Sequence, residues 1–433
     1  MLGNELASKL THFPQRETCR RPQAMKKMYF GPSFFLLTYL LLSSVVSPQT
    51  DDFKWSRGPD RLYQVSKWDA KSRGKRIGFI DHTGKLIIDY DRLPSATAMV
   101  GEFHEGRAAI YLNKVSPPGS TAYDVGFIDE TGKMVVPPRF RSARSFSEGL
   151  AFVDGREFRG FIDLQGKPVI KTDDYTRDFH EGLAAVSSSE GFSPWGYIDR
   201  SGKMVVEKQY SFADDFSEGL AGVVVNRKFG FINQNGEMVI PPRFIPRRGP
   251  YSYSGVVATS RFSEGLAPVA TELKYGLDGV YGYIDRKGDF VIPPQFHAAQ
   301  IFSEGLALVV KMERVTNVVT SAGWIDKSGH RIVTEVQGRI SESLFPKTFM
   351  DPHGYSDWRY SEGLVPFLIP QNKGKPLRGY MDRRGKIVIE PRAFNKVGPF
   401  VGGLARVYVD GDERQSNDYG YINKTGQFIW RSK

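Results

Sequence analysis

Apolar and polar positions alternate along most of this chain in short runs that keep returning. Leu266-Ala-Pro-Val-Ala270 alternates with small residues and predicts a strand. Tyr281-Gly-Tyr-Ile-Asp285 predicts a second and Asp289-Phe-Val-Ile292 a third. Asp285-Arg-Lys-Gly288 joins the last two: Asp hydrogen-bonds its own backbone two residues on, and Gly supplies the positive φ that ends a type I turn with a bulge. That is the grammar of a tight hairpin. The same spacing pairs Asp129 with Gly132, Asp163 with Gly166, Asp199 with Gly202, Asp326 with Gly329 and Asp382 with Gly385, while Asn233 and Asn423 substitute with the same chemistry.

The hairpin phrase Gly-aromatic-(Ile or Met)-(Asp or Asn)-x-x-Gly opens nine times, at Gly78, Gly126, Gly160, Gly196, Gly230, Gly282, Gly323, Gly379 and Gly420. A second phrase, Phe-Ser-Glu-Gly-Leu-Ala, lies between these runs, clearest at Phe146–Ala151, Phe216–Ala221, Phe262–Ala267 and Phe302–Ala307. Recurrence every 34 to 56 residues marks an array whose units bury their apolar faces against each other. Pro137-Pro138, Pro241-Pro242 and Pro293-Pro294 are expected to end the third strand or to place it at a sheet edge, because proline lacks the amide donor. No sustained helical period follows residue 50.

The predicted fold is all-β: about nine tandem β-hairpin repeats in an open, curved, β-solenoid-like stack. The alternative is a β-propeller in which each connecting loop serves as a fourth strand. The open stack is preferred because 34-residue units are short for a four-stranded blade and neither end obviously supplies a missing strand.

Residues 1–50 differ from the array at 51–433. Met25-Lys26-Lys27 precedes the apolar run Phe34–Val46, which is too short for the ~20 residues that span a bilayer and reads as a secretory signal. Translation is expected to start at Met25 or Met28. The chain is expected to be exported to the periplasm, cell surface or medium, with retention by an uncleaved leader as the alternative, since Pro48 directly follows Ser47. Cys19 is the single cysteine and precedes the apolar run. Thiolate catalysis and disulfides are therefore excluded from the array. Setting aside the six basic and two acidic residues of 1–50 leaves +7 of the formal +11, dispersed among acids rather than gathered in a stripe. Nucleic acid is an unlikely partner on that pattern.

The units resemble the WG-repeat family of bacterial proteins. Trp195-Gly196-Tyr197-Ile198-Asp199-Arg-Ser-Gly202 carries the likeness, with Phe216-Ser-Glu-Gly-Leu-Ala downstream, and it extends over roughly 61–430. The name-giving tryptophan is replaced by Ile77, Val125, Arg159, Phe229, Tyr281, Ala322, Arg378 and Tyr419 elsewhere, and Phe400-Val-Gly-Gly-Leu lacks the glutamate. The resemblance implies a repeat protein, often exported, and transfers no catalytic residue.

Glu105, Glu148, Glu181, Glu218, Glu264, Glu304 and Glu362 form a series, expected to accept amide hydrogen bonds within their own loops. The Asp-x-x-Gly turns lack the alternate-position oxygens of a calcium loop, and the histidines are scattered, so no metal and no cofactor is expected. Function in repeat proteins concentrates in insertions. The six-residue gap between aromatics becomes eighteen between Phe244 and Phe262, and that insertion carries Arg247, Arg248, Tyr251 and Tyr253. A second, from about Thr334 to Asp357, contains Phe349 and Tyr355 and is followed by Trp358. These seven are the candidate binding residues, since Arg and Tyr or Trp dominate binding hot spots. The expected function is a non-enzymatic binding or scaffolding module for an envelope protein or polysaccharide. The rival is a carbohydrate-active envelope enzyme using a carboxylate pair.

Overall fold

A computed structural model describes residues 61–69, 74–114, 122–188, 194–246, 260–271, 279–312, 319–333, 359–369, 371, 374–410 and 418–432. The leader and all seven nominated binding residues, Arg247, Arg248, Tyr251, Tyr253, Phe349, Tyr355 and Trp358, lie outside them. The described residues are all-β, arranged as antiparallel sheets with no helix and no closed barrel. Nine units follow one another, each centred on the strand that carries the repeated glycine: Gly74–Ile80, Tyr123–Asp129, Arg159–Asp163, Trp195–Asp199, Lys228–Asn233, Tyr281–Ile284, Val319–Ile325, Leu377–Asp382 and Asp418–Asn423.

Unit five shows the plan. Leu220–Val225 pairs with Lys228–Asn233, which pairs with Met238–Phe244. A two-residue strand, Phe212–Ala213, adds to the outer side of the first. Comparable added strands occur at Tyr175–Thr176, Ala298–Ala299 and Lys396–Val401. In the turn that ends the second strand, Gly236 N–H donates to the Asn233 carbonyl, and the Asn233 side chain accepts the amides of Asn235 and Glu237. The Asp turns are built alike: Asp199 Oδ1 accepts from the amides of Ser201 and Lys203, with Gly202 at φ 85°.

The third strand does not stop at the double proline. Met134–Ala143, Met238–Phe244 and Phe290–Phe296 all run through it. Register explains why. Phe231 faces Ile240 and Phe229 faces Phe244, so Gly230 alone opposes Pro241, Pro242 and Arg243. The prolines occupy this bulge, where extra residues need no ladder partner. The partner glycine lies under the bulge: a Cβ on Gly230 would sit 2.6 Å from the Ile240 carbonyl oxygen, and one on Gly196 would sit 2.4 Å from that of Val206. The repeated glycine is there for close backbone approach. Beyond the bulge the strand bends into the next unit, and Met134–Ala143 pairs with both neighbours, Tyr123–Asp129 and Leu150–Gly155.

The core lies between units. One buried cluster joins Phe229, Phe231, Ile240 and Phe244 of unit five to Phe262, Val269 and Ile284 of unit six. Aromatic pairs repeat across these joints, such as Tyr197–Phe216 and Tyr283–Phe302, each with ring centroids 4.9 Å apart. The two ends of the array also share a cluster. Tyr63, Val65 and Ile80 of unit one are buried with Leu404, Tyr408, Tyr419 and Tyr421 of unit nine.

Candidate functional site

Each unit has two ends, fixed by register. Leu183 pairs with Asp199 and Ser187 with Trp195, so the Phe-Ser-Glu-Gly phrase before Leu183 and the Asp-x-x-Gly turn after Asp199 share one end. The connection from first to second strand occupies the other. That connection is two residues in unit five, where Asn226 and Arg227 both have positive φ, and ten between Ala270 and Tyr281 in unit six. Ile245 bridges to Ala270, which places the start of the first insertion at this variable end. The second insertion leaves a third strand that runs toward the same end, after Val333 opposite Trp324.

At the regular end the repeated residues join neighbours. The glutamates accept amide hydrogen bonds, but from the next unit rather than their own loop. Glu105 accepts from Gly149 N–H at 2.7 Å, Glu148 from Gly182 at 2.8 Å, Glu181 from Gly219 at 2.7 Å and Glu218 from Gly265 at 2.9 Å. Glu264, Glu304 and Glu362 continue to Gly305, Gly363 and Gly403. All seven have φ between 52° and 55°, a left-handed conformation that costs a non-glycine residue about 1 kcal/mol. A charge-assisted bond of ~1.5–3 kcal/mol outweighs that cost. Serine of the same phrase donates onward too: Ser217 Oγ to the Phe262 carbonyl at 2.7 Å and Ser303 Oγ to that of Tyr360 at 2.8 Å. Lys327, Arg383 and Lys424, at the tip of the next turn, pair with Glu264, Glu304 and Glu362. These carboxylates hold the array together.

The joint between unit nine and unit one is built differently. Gly402 stands where the glutamate belongs. Tyr63 Oη donates to the carbonyls of Val401 and Gly402, each at 2.7 Å, and a Cβ on Gly402 would lie 2.6 Å from that hydroxyl. Burial pushes the Tyr63 phenol up to about 12, so it remains a donor at neutral pH. Tyr421 Oη donates to the Gln64 carbonyl at 2.9 Å. Elsewhere seven turn glycines, Gly132, Gly166, Gly202, Gly236, Gly288, Gly329 and Gly426, pack on an aliphatic of the preceding unit, as Gly236 does on Val206 and Gly288 on Ile240. Gly84 of unit one packs in the same way on Ile429 of unit nine.

Buried charge pairs stand just before the clasp aromatics at two successive joints, Arg144 with Asp178 at 3.1 Å and Arg177 with Asp214 at 3.3 Å. The positions just before these clasp aromatics are charged: Arg177-Asp178 precede Phe179 of unit four, and Asp214-Asp215 precede Phe216 of unit five. Arg177 Nη1 lies 3.3 Å from Asp214 Oδ1 and 3.8 Å from Asp215 Oδ2, while its guanidinium covers the rings of Trp195 and Phe212 at 5.5 and 5.2 Å. His180 Nε2 is 3.7 Å from Asp215. Burial pushes the Asp214 carboxyl up to about 6 against the pull of Arg177. For Arg177, burial opposes the charge, yet Asp215 and Asp214 outweigh it and raise its pKa. Tyr175, 46% exposed, meets the Trp195 ring edge-on at 5.7 Å. Sequence reasoning used Trp195 only as a family mark and passed over the rest. The charge pairs Arg177-Asp178 and Asp214-Asp215, each directly before a clasp aromatic, were the available signal. Among the described residues, no three His, Cys, Asp or Glu side chains converge as a metal site would require.

These features define a tandem β-repeat protein whose recurring polar residues form its joints. The chain belongs to the WG-repeat family: the WG containing repeat model matches residues 77–115, 126–154, 160–188, 195–229, 229–244, 281–311 and 379–411. No curated protein sequence matches it. Among solved structures, apo AztD from Citrobacter koseri is similar over 77% of this chain and 80% of its own, at 10% identity and a TM-score of 0.31. The β-propeller domain of the Trilobed protease from Pyrococcus furiosus, described as having an open velcro topology, matches over 77% and 98% at 9% identity and 0.37. Prolyl oligopeptidase B from Galerina marginata matches over 80% and 58% at 8% identity and 0.34. Scores at this level carry no argument about topology or activity.

Proposed function

We propose that this protein is an exported, non-enzymatic binding module whose nine units close into a ring of the propeller type and present the ligand site at the variable end. The observation that carries the reading is the division of labour between the two ends. The recurring Glu, Ser, Asp and Gly of the regular end are bonded to backbone in their own turn or in the next unit. Connections that differ in length from unit to unit leave the strands at the opposite end. Closure is supported by Tyr63 seated on Val401 and Gly402 and by Gly84 packed on Ile429. The partner is an envelope protein or polysaccharide.

The test is retention from native envelope extract on the immobilised full chain, beside a variant lacking residues 247–254. A glycan or protein held by the intact chain and lost from the variant is the expected result. Retention of nothing by either would contradict a binding module. The enzymatic rival finds its one support in Asp214, a buried carboxyl raised toward neutrality beside Asp215. Glycan hydrolysis by the wild type that disappears in Asp214→Asn would establish it instead.

A further inference from the structure

A groove of about 350 Å³ opens at the joint of units five and six, lined by Arg243, Phe244, Thr271, Gly288, Asp289 and Phe290. Its floor is a pair of phenyl rings, Phe244 and Phe290, set at 86° to each other with centroids 6.0 Å apart. Phe244 is 2% exposed and Phe290 37%, so the groove presents ring surface to solvent. Arg243 builds one wall: it donates to the Gly288 carbonyl while its guanidinium covers Phe244 at 5.1 Å. The joint of units eight and nine repeats the ring pair, Phe394 with Phe428 at 6.3 Å. There Arg431 lies over Phe428 at 5.5 Å and the ring is partly buried. Units four, three and seven hold Met204, Pro168 and Arg331 at the Phe290 position. The groove begins where the first insertion leaves the sheet, since Ile245 bridges Ala270 next to Phe244 and Thr271.

Backbone geometry restricts the occupant. The strands beside the groove, Met238–Phe244 and Phe290–Phe296, each lie at the edge of their sheet, with no further strand beyond them among the described residues. Met238, Val239, Phe290 and Val291 are exposed along them. An extended chain that pairs with such an edge gains main-chain hydrogen bonds and places alternate side chains in the pockets that flank it. Pro293-Pro294 supply no amide donors and sit in the bulge, so pairing in unit six is confined to residues 289–292. Charge restricts the sequence of that chain. Asp289 is exposed, and its carboxylate makes no hydrogen bond or ion pair to a described residue. A basic residue beside the apolar anchor meets it with complementary charge.

We propose that this groove seats a large apolar side chain from an extended, basic segment of a partner protein, added as a strand to the edge of Phe290–Phe296. The site rests on the binding-module reading and makes its partner a protein. One anchor side chain filling a desolvated pocket, ringed by contacts that exclude water, is how most interfaces concentrate their affinity. The exposed edge strands of the other units offer pairing without that pocket, so unit six sets the register of the added strand.

The test is selection of a randomised heptapeptide phage library on the immobilised full chain, with Phe290→Arg as the counter-selecting surface. Unit seven carries Arg331 at this position, so the substitution suits the fold. Enriched peptides should carry Phe, Trp, Leu or Ile close to Lys or Arg. In fluorescence anisotropy the best of them should bind Phe290→Arg about tenfold more weakly than wild type. Asp289→Asn, which alters an exposed side chain, should weaken it about threefold, as loss of an exposed ion pair does. N-methylation of the peptide's backbone amides should abolish binding, and undiminished binding would overturn strand addition. Peptides that bind wild type and Phe290→Arg equally, enrichment of acidic sequences, or no enrichment would overturn the groove site. If the envelope extract still yields a ligand in that case, the module reading stands without the groove. A retained glycan that Phe290→Arg releases would overturn the choice of a protein partner.

Discussion

Two joints in this molecule solve the same problem with different residues. Between units four and five, Glu181 of one clasp accepts the Gly219 amide of the next at 2.7 Å. Between units nine and one no covalent chain crosses, the glutamate is absent, and Tyr63 donates to the two carbonyls that the missing side chain would have screened. The following unit donates in both joints, but a side-chain hydroxyl onto backbone carbonyls replaces a backbone amide onto a carboxylate. A repeat can copy its joint only where the next unit brings the same partner, and unit one begins without a Phe-Ser-Glu-Gly phrase. The departure at Phe400-Val-Gly-Gly-Leu therefore reads as a socket. What looks like decay of a motif is the space for a different contact.

The comparison breaks most sharply if the interior residue is restored at the seam. Gly402→Glu places a Cβ within 2.6 Å of the Tyr63 hydroxyl and should expel that ring, lowering stability by roughly 3 kcal/mol in denaturant titration. If it is tolerated without loss, Tyr63 is not seated there. Tyr63→Phe keeps the ring and leaves two carbonyls without their donor, so a loss of about 1–2 kcal/mol is expected. Faster amide exchange should be confined to the strands Tyr63–Asp69 and Leu404–Asp410. Spread of that exchange evenly over all units would mean that the ends do not form a distinct joint.

At an interior joint, Glu218→Ala should cost about 1–2 kcal/mol, because the Gly265 amide loses a charged acceptor while the left-handed backbone stays strained. Glu218→Gln retains an acceptor and should cost less than half as much. Equal losses in the two variants would show that charge, not hydrogen bonding, holds the joint.

The smallest expected effect is one of pH. Tyr63 has a folded-state pKa near 12, above its ordinary value of 10. An acid whose pKa rises on folding contributes stability that is complete below the unfolded value and lost as pH climbs through the folded one. The stability difference between wild type and Tyr63→Phe should hold to about pH 10 and fade toward 12. A difference unchanged across that range would remove the buried hydroxyl from the seam.

The turns and strands were legible because their causes are local. Asp199 bonds amides two and four residues away, and Gly202 relieves a positive φ within the same four residues. The clasp was half legible: a carboxylate beside glycine announces an amide partner, but the partner lies 34 to 59 residues on and belongs to another unit. The double proline was half legible: Met238–Phe244 and Phe290–Phe296 do lie at sheet edges, but they do not end there, because a bulge opposite the paired glycine carries the strand on. The charged cluster at the joint of units four and five was missed because its members are ordinary one by one. Only the fold sets Arg177 over Trp195 and beside Asp214 and Asp215.

Closure of the array is open to one direct measurement. The array lacks cysteine, so with Cys19→Ser in the full chain spin labels can be placed at Lys85→Cys and Gln427→Cys, exposed positions one residue past the turn glycine in units one and nine. The control pair is Lys133→Cys and Lys167→Cys, at the same positions in adjacent interior units. Sheets pack roughly 10 Å apart, so eight successive spacings in an open stack would separate the first pair by roughly 80 Å. A closed ring predicts that the two pairs give the same short dipolar distance. A terminal pair several times more distant than the interior pair would contradict closure and restore the open stack.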